Sequence, residues 1–112
     1  MTIDKLIPPP TNRENFKHSS LRFVPEAAGC YVLTTFDNVV LYIGQAVNLR
    51  RRMNDHLNDP RKTGLTAQGR AFFFYWLEYE VIGTLERTWL NIHGEYEPRY
   101  PILNSIYSPV SV

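Results

Sequence analysis

The sequence predicts an α/β protein of the α+β kind, built on a small, three-stranded, mainly antiparallel sheet flanked by helices. β-branched and aromatic residues dominate two neighbouring runs, residues 30–36 and 39–43, as expected of a β-hairpin. A third apolar run, residues 71–79, is typical of a central strand that is buried on both faces. Apolar residues recur at helical spacing in residues 48–57 and 84–96, which predicts one helix before the third strand and one after it.

The length and composition are those of one globular unit. A chain of 112 residues suffices for one folded domain, which we expect at residues 24–112. Residues 1–23 contain three consecutive prolines and a polar stretch, and they are expected to form a partly ordered arm. No apolar run approaches the length of a membrane span, and no signal-peptide core is present at the start, so we expect an intracellular protein without a membrane partner.

The charge distribution and the cysteine count restrict the possible kinds of function. The single cysteine excludes an internal disulfide and a cysteine-rich zinc site. The formal net charge is only +1, but residues 45–70 hold six basic side chains against two acidic ones, whereas residues 71–97 hold five glutamates against one arginine. A basic segment beside an acidic one is suited to a phosphodiester substrate, although a mixed solvated surface has the same composition.

The hairpin fixes which residues face each other. Asp37 and Asn38 both tolerate positive φ, so a two-residue turn is predicted, with Phe36 opposite Val39. This register places Leu33 opposite Tyr42 and Tyr31 opposite Gly44, where the missing side chain is expected to leave open space beside the phenol. Strand alternation then predicts one face with Tyr31, Leu33, Val40 and Tyr42, and a buried face with Val32, Leu41 and Ile43.

The first helix supplies the cations. Asn48 is the expected N-cap, and an apolar stripe follows with Leu49, Met53 and Leu57. At 100° per residue, Arg52 and His56 lie side by side on one border of that stripe. The same phase directs Arg51 to solvent and Arg50 to the opposite border, so helical periodicity distinguishes three consecutive arginines.

The second half of the chain contains a loop, a strand and a helix. Residues 58–70 are predicted to form a loop because Pro60, Gly64 and Gly69 interrupt them. The second helix is expected to begin with Thr84 as its N-cap, which places Glu86 on the flank of its first turn. Its core stripe is predicted to contain Leu85, Trp89, Ile92 and Tyr96. Residues 100–112 are expected to run back over the sheet.

The order of these residues resembles the GIY-YIG nuclease family, and the resemblance covers about residues 24–104. It rests on Gly29-Cys30-Tyr31, Tyr42-Ile43-Gly44, Ala46, Asn48-Leu49, Arg52, His56, Glu86 and the closing pair Pro101 and Asn104. Two positions depart from the family pattern. Cys30 interrupts the first tripeptide but is expected to point away from the phenol face, and Gln45 stands where some members carry a phosphate-binding lysine.

The resemblance implies a divalent-metal-dependent endonuclease. Tyr31 would act as general base, Arg52 would stabilise the phosphate, and Glu86 would hold one Mg²⁺ or Mn²⁺ ion. Tyr42 and His56 would orient water or phosphate, and the supporting residues would be Gly44, Asn48 and Asn104. The residues expected to contact nucleic acid, more readily DNA than RNA, are Arg50, Arg51, Arg61, Lys62 and Arg70. A partner protein or a homodimer would supply specificity.

Other readings of the same residues stay open. A metal-free nucleic-acid-binding module would keep the basic helix and loop but would need neither Tyr31 nor Glu86. A structural adaptor would leave Arg52 and His56 as ordinary solvated helix residues. A zinc hydrolase is weakly supported, because no two of the three histidines have the spacing of zinc ligands.

Overall fold

A computed structural model describes residues 1–105 and contains a four-stranded antiparallel sheet with helices on both faces. The strands are β1 (Asn12–Asn15), β2 (Gly29–Thr34), β3 (Val40–Ala46) and β4 (Phe73–Glu78), in the spatial order β1-β4-β2-β3. The helices are α1 (Leu49–Leu57), α2 (Pro60–Thr63), α3 (Ile82–Tyr96) and α4 (Ile102–Ser105). The predicted α+β architecture is confirmed, with one strand more than expected.

The additional strand comes from the N-terminal segment. β1 pairs with β4, with Arg13 opposite Tyr75, and so makes β4 a central strand as predicted. Short 3₁₀ turns flank β1 at Ile3–Lys5 and His18–Phe23. The polar sequence of β1 has no apolar alternation, so its strand conformation is set by the open edge of β4 and not by local pattern.

The register of the hairpin is confirmed where it matters for the site, but the turn prediction is wrong. Tyr31 pairs with Gly44 and Leu33 with Tyr42. The loop has three residues, because the Thr35 backbone N–H donates to the Val39 carbonyl at 3.0 Å. Asn38 ends this loop with a φ of 66°, the left-handed conformation that a three-residue hairpin loop requires.

A β-bulge compensates for the longer loop. The pairing shifts between Leu33, opposite Tyr42, and Thr34, opposite Val40, which leaves Leu41 as an extra residue in β3. One residue gained in the loop is therefore absorbed before Tyr42. The bulge also exchanges the faces of two residues: Leu41 joins the core cluster of Tyr31, and Val40 joins the cluster on the other face.

Helices cover the two faces separately. The Tyr31 face packs against Leu49 and Met53 of α1 and against Leu103 of α4. The other face packs against Leu85 and Trp89 of α3, and the N-terminal segment covers part of it. Within residues 1–105, no helix has both the length and the apolar character that crossing a bilayer requires.

The helix boundaries differ from the predictions in two places. Asn48 caps α1 as expected, since its side chain accepts a hydrogen bond from the Arg51 backbone N–H at 3.0 Å. A one-turn helix, α2, lies inside the predicted loop, because Asp59 caps it ahead of Pro60. The Thr84 cap is wrong: α3 begins at Ile82, so Glu86 lies in the second turn.

The predicted stripe of α3 is only partly buried. Leu85 and Trp89 are in the core, whereas Tyr96 is exposed and His93 takes a buried position instead. Of the predicted closing segment, α4 packs against β3. Residues 106–112 lie outside the described part of the chain.

Candidate active site

The phenol of Tyr31 occupies the space that Gly44 leaves. A Cβ atom at position 44 would lie 2.5 Å from the Tyr31 hydroxyl oxygen and 2.7 Å from the Tyr42 ring. The predicted open space beside the phenol is therefore filled by the phenol itself. Any side chain at position 44 would displace Tyr31 or Tyr42, so the glycine is required by close approach and not by backbone conformation.

Tyr31 and His56 form a buried hydrogen-bonded pair. The Tyr31 hydroxyl oxygen lies 2.6 Å from Nε2 of His56. The two side chains are 0% and 3% exposed. His56 reaches this position because α1 starts at its Asn48 cap with the phase expected from the sequence.

Aromatic rings hold the Tyr31 phenol on both sides. Phe74 of β4 stacks on it, with centroids 5.1 Å apart and planes 13° apart. Tyr42 stacks at 5.8 Å, and the His56 ring meets Tyr42 edge-on at 5.0 Å. Tyr42 and His56 were predicted from the sequence, whereas Phe74, which the pairing of β4 with β2 places beneath the site, was not.

A buried lysine adds a cation to this cluster. Lys62 was predicted to contact nucleic acid, yet it is only 2% exposed. Its Nζ lies 4.8 Å from the centre of the Tyr42 ring and 3.8 Å from the Asp59 carboxylate. The Asp-Pro pair that caps α2 is the local signal that could have predicted this inward direction, because a helix here places residues i and i+3 on one side.

These charges and the burial keep His56 neutral. Burial is the main cause that lowers the pKa of His56 to about 3, followed by the cations Lys62 and Arg52, while Asp59 acts in the opposite direction. At neutral pH the imidazole is therefore uncharged. One ring nitrogen of a neutral imidazole is an acceptor, which suits the contact with the Tyr31 hydroxyl.

The three arginines of α1 have three different surroundings. Arg50 is tied to the lead-in segment: its Nε donates to the Val24 carbonyl at 2.8 Å, and its guanidinium pairs with Glu26 at 2.8 Å. Arg51 is exposed. Arg52 is also exposed, lies 4.0 Å from the Asp55 carboxylate, and is close enough to His56 to affect its titration.

The other predicted surface cations lie on the segment after α1. Arg61 is exposed and pairs with Asp59 at 3.1 Å. Arg70 is exposed just before β4. The predicted nucleic-acid residues are thus divided, with Arg51, Arg61 and Arg70 exposed and Lys62 buried.

Asn104 connects α4 to the exposed edge of the sheet. Its side-chain oxygen accepts from the Ile43 backbone N–H, and its amide donates to the Ile43 carbonyl, both at 2.9 Å. Ile43 lies between Tyr42 and Gly44, and β3 is an edge strand. Asn104 thereby satisfies both backbone groups of Ile43 as a neighbouring strand would.

Glu86 lies on α3, the helix that packs against the other face of the sheet through Leu85 and Trp89. It is half-buried on α3 and lines an open cavity of about 420 Å³ together with Gln45, Gly83, Arg87, Leu90, Asn91 and Tyr100. Burial raises the pKa of the Glu86 carboxyl, and the neighbouring Arg87 opposes that effect. A cation bound there would stabilise the ionised carboxylate.

The donors around Glu86 fit a lightly held hard cation. Mg²⁺ binds through one or two carboxylates and keeps several waters, and carbonyl oxygens such as those of Gln45 and Asn91 are suitable donors. Within the described residues, no three histidine, cysteine, aspartate or glutamate side chains form a metal-binding group. Among the residues that line this cavity, Glu86 supplies the carboxylate.

Residues 27–95 match the model of the GIY-YIG catalytic domain. The chain belongs to the GIY-YIG family. The match covers more than half of the 112 residues and contains Tyr31, Tyr42, Arg52, His56 and Glu86. Membership in this family indicates nuclease-type hydrolysis of phosphodiester bonds and hence a nucleic-acid substrate.

Proposed function

We propose that this GIY-YIG protein is a divalent-metal-dependent endonuclease that hydrolyses the phosphodiester bonds of nucleic acid, with DNA as the expected substrate. The observation that carries the proposal is the 2.6 Å contact between the Tyr31 hydroxyl and His56. A phenol held by a neutral histidine, inside a domain of a nuclease family, is suited to general-base work on water. The exposed cations Arg51, Arg61 and Arg70 would position the phosphate backbone.

In this proposal Tyr31 takes a proton from the attacking water as it passes its own hydroxyl proton to Nε2 of His56, which holds the phenol in place. Burial and the neighbouring cations hold the pKa of His56 well below its ordinary value, so His56 is a poor acceptor for the phenol proton. His56 therefore orients the hydroxyl in the resting protein and does not ionise it. A substrate phosphate beside Arg52 would offset one of the cations that lower the pKa of His56, and so would make that transfer less costly.

Arg52 is placed to meet negative charge on the phosphate. Its guanidinium is exposed on the same border of α1 as His56 and lies 4.0 Å from the Asp55 carboxylate. A donor of this kind contributes about 10²–10³ in rate when it stabilises charge that develops in the transition state. Tyr42 would support both groups through its contact with His56.

Glu86 would hold one Mg²⁺ or Mn²⁺ ion. When bound, the ion supplies Lewis-acid stabilisation of phosphate oxygens. The residues of this chain that prepare the site are Glu86, whose carboxylate is half-buried, and Gln45 and Asn91, which line the same cavity. Asn104 and Gly44 would keep β3 and the Tyr31 ring in register between the two faces.

The direct test is cleavage by purified protein of plasmid, single-stranded DNA and RNA. We expect strand scission with Mg²⁺ or Mn²⁺ and none in excess EDTA. Equal cleavage in EDTA by protein free of contaminating nuclease would remove the metal from the proposal. Cleavage of RNA in preference to DNA would correct the substrate class while leaving the reaction in place.

A nucleic-acid-binding module without catalysis is the second candidate, and one observation favours it. The Tyr31 side chain is 0% exposed, so water must gain access before the phenol can act. Binding that persists without cleavage of any substrate would support the module. A partner protein or a homodimer that completes the site would be recognised by cleavage that depends on added partner or on protein concentration.

A further inference from the structure

A cluster of aromatic rings lies exposed at the hairpin end of the sheet. Phe36, in the hairpin loop, is 66% exposed, and Phe72, which precedes β4, is 43% exposed. Their centroids are 5.1 Å apart in an edge-to-face arrangement, and both rings pack against Phe73. We call Phe36 and Phe72 the aromatic platform. Two exposed aromatic rings in contact form a candidate binding surface.

The backbone holds the platform rigidly. The Phe72 N–H donates to the Thr34 carbonyl at 2.7 Å, and the Phe72 carbonyl accepts from the Phe16 N–H at 2.8 Å. Phe36 lies in a turn closed by Thr35 and Val39, and the Tyr75 hydroxyl donates to the Asn38 side chain at 2.5 Å. Both rings are therefore presented by fixed backbone, which lowers the entropy cost of binding.

Three exposed cations lie on the segments next to the platform. The Arg13 guanidinium lies 4.4 Å above the Phe73 ring, and it is exposed on β1. Lys17 follows Phe16, which pairs with Phe72, and Arg70 lies two residues before Phe72; both are exposed. Asp37, in the same loop as Phe36, is the opposing charge within the hairpin turn. The rim is thus mainly positive.

We propose that the aromatic platform stacks unpaired bases of a single-stranded nucleic acid whose backbone runs past Arg13, Lys17 and Arg70. Stacked aromatics combined with a positive groove are the usual means of binding single strands without sequence preference. An apolar protein partner would leave the three cations against an uncharged surface, whereas a phosphate backbone matches them. The proposal deepens the proposed nuclease function, on which it rests for the identity of the ligand.

The position of the platform suggests which substrates it would select. Phe36 lies five residues from Tyr31 along the hairpin, which corresponds to about 17 Å of extended chain. The bases held at the platform would therefore be separated from the scissile phosphate by a short stretch of nucleotides. We infer a preference for substrates with a single-stranded segment near the cleavage site over fully paired duplex.

The test measures binding in EDTA, so that it does not depend on cleavage. Fluorescence anisotropy of labelled single-stranded and duplex oligonucleotides is compared for the wild type, Phe36→Ala, Phe72→Ala and the matched control Phe23→Ala. Phe23 is also an exposed aromatic with a cation beside it, Arg22 at 4.8 Å, but lies outside the platform. We expect each platform variant to weaken single-strand binding about 5-fold or more, with duplex binding and the control unchanged.

Salt dependence separates stacking from charge. Phe72→Trp should keep single-strand affinity, because a larger π surface still stacks, and the slope of log affinity against log salt should be unchanged in every aromatic variant. Arg13→Ala should instead lower that slope by about 0.7 for single strands. Thermal melts of each variant confirm that the fold is retained.

Several results would overturn the proposal. The proposal fails if folded platform variants bind single strands as tightly as the wild type. It also fails if Phe23→Ala loses as much single-strand affinity as they do, or if they lose as much affinity for duplex. A change of oligomeric state in the platform variants, without loss of single-strand binding, would assign the rings to a protein interface. If the platform results hold but no substrate is cut, the nuclease proposal fails and the platform stands. If cutting is observed but the platform variants show none of these effects, the platform proposal fails and the nuclease proposal stands.

Discussion

The two faces of the sheet place their ionisable groups in different environments. On one face, Tyr31 and His56 are enclosed by aromatic rings and a buried Lys62, with their polar atoms paired. On the other, Glu86 lines an open cavity and its charge is only weakly opposed by Arg87. The first face is preorganised by packing and by the hydrogen bond between Tyr31 and His56. The second is arranged for a ligand that would complete it.

The difference predicts opposite responses to pH. The pKa of His56 is about 3 in the folded protein against about 6.5 in the unfolded chain, so the unfolded chain binds an additional proton between these values. This group therefore lowers stability as pH falls from 6.5 toward 3, by up to about 5 kcal/mol. The pKa of Glu86 is raised, so its contribution is full below 4.5 and is lost as pH rises through the folded pKa.

The largest effect on activity is expected from a substitution of Glu86, on the face with the open cavity. Glu86→Gln should abolish metal-stimulated cleavage while sparing nucleic-acid binding, because it removes the only carboxylate proposed to hold the ion. Stability at neutral pH should not fall, since burial disfavours the ionised form that the substitution removes. Turnover and oligonucleotide binding are measured with and without Mg²⁺. A variant that binds and cuts normally would reduce Glu86 to an ordinary helix residue.

The next largest effect on activity is expected from a substitution of Tyr31, on the face where Tyr31 and His56 are buried (the closed face). Tyr31→Phe should lower turnover by about 10²–10⁴, the span of a positioned acid-base group. It should also cost about 1–3 kcal/mol of stability, because Nε2 of His56 loses its buried partner. Tyr75→Phe is the matched control: it also deletes a tyrosine hydrogen bond, to Asn38, but at the hairpin loop away from the His56 pair. Similar turnover losses in both would point to general loosening of the sheet.

The closed face was the more predictable of the two. Period-two alternation and a register anchored by Gly44 sufficed to bring Tyr31 and Tyr42 together, and helical phase brought His56 to them. The turn prediction was wrong, yet the register survived because the Leu41 bulge absorbs the additional loop residue. Local pattern carries this information because neighbouring strands and one helix turn are close in sequence.

The remaining features depend on contacts between distant segments. The polar strand β1 exists because the edge of β4 is available, a tertiary effect that propensity does not encode. Lys62 looked like a loop cation but is buried by the short helix that Asp59 caps. The position of Glu86 follows from the packing of α3, whose start was predicted three residues too late.

A smaller loss of activity is expected to distinguish Arg52 from Arg51 in α1. Arg52→Ala should lose about 10² or more in turnover at saturating substrate, and low salt should not restore it, because the missing interaction belongs to the transition state. Arg51→Ala should lose mainly affinity, and low salt should relieve that loss. Single-turnover rates at two salt concentrations separate these cases. Identical behaviour of the two variants would make the triplet an electrostatic surface only.

The smallest effect on turnover is expected from a substitution of Lys62, which tests why His56 stays neutral. Lys62→Met replaces a buried cation by an apolar side chain of similar length, and Asp59 keeps its ion pair with the exposed Arg61. Since Lys62 is one of the causes that lower the pKa of His56, that pKa should rise above about 3. Less stability would then be lost on acidification. Arg61→Met is the matched control, because Arg61 pairs with the same Asp59 carboxylate but is exposed.

NMR titration of the His56 ring, assigned by comparison with a His56→Gln variant, measures the pKa directly. An upward shift in Lys62→Met with none in Arg61→Met would show that the neutral state of His56 is set inside the cluster. Equal pKa values in all three proteins would mean that burial by the rings alone keeps His56 neutral. In that case Lys62 serves only to hold Tyr42, and the acid limb of the turnover profile should be the same for both variants.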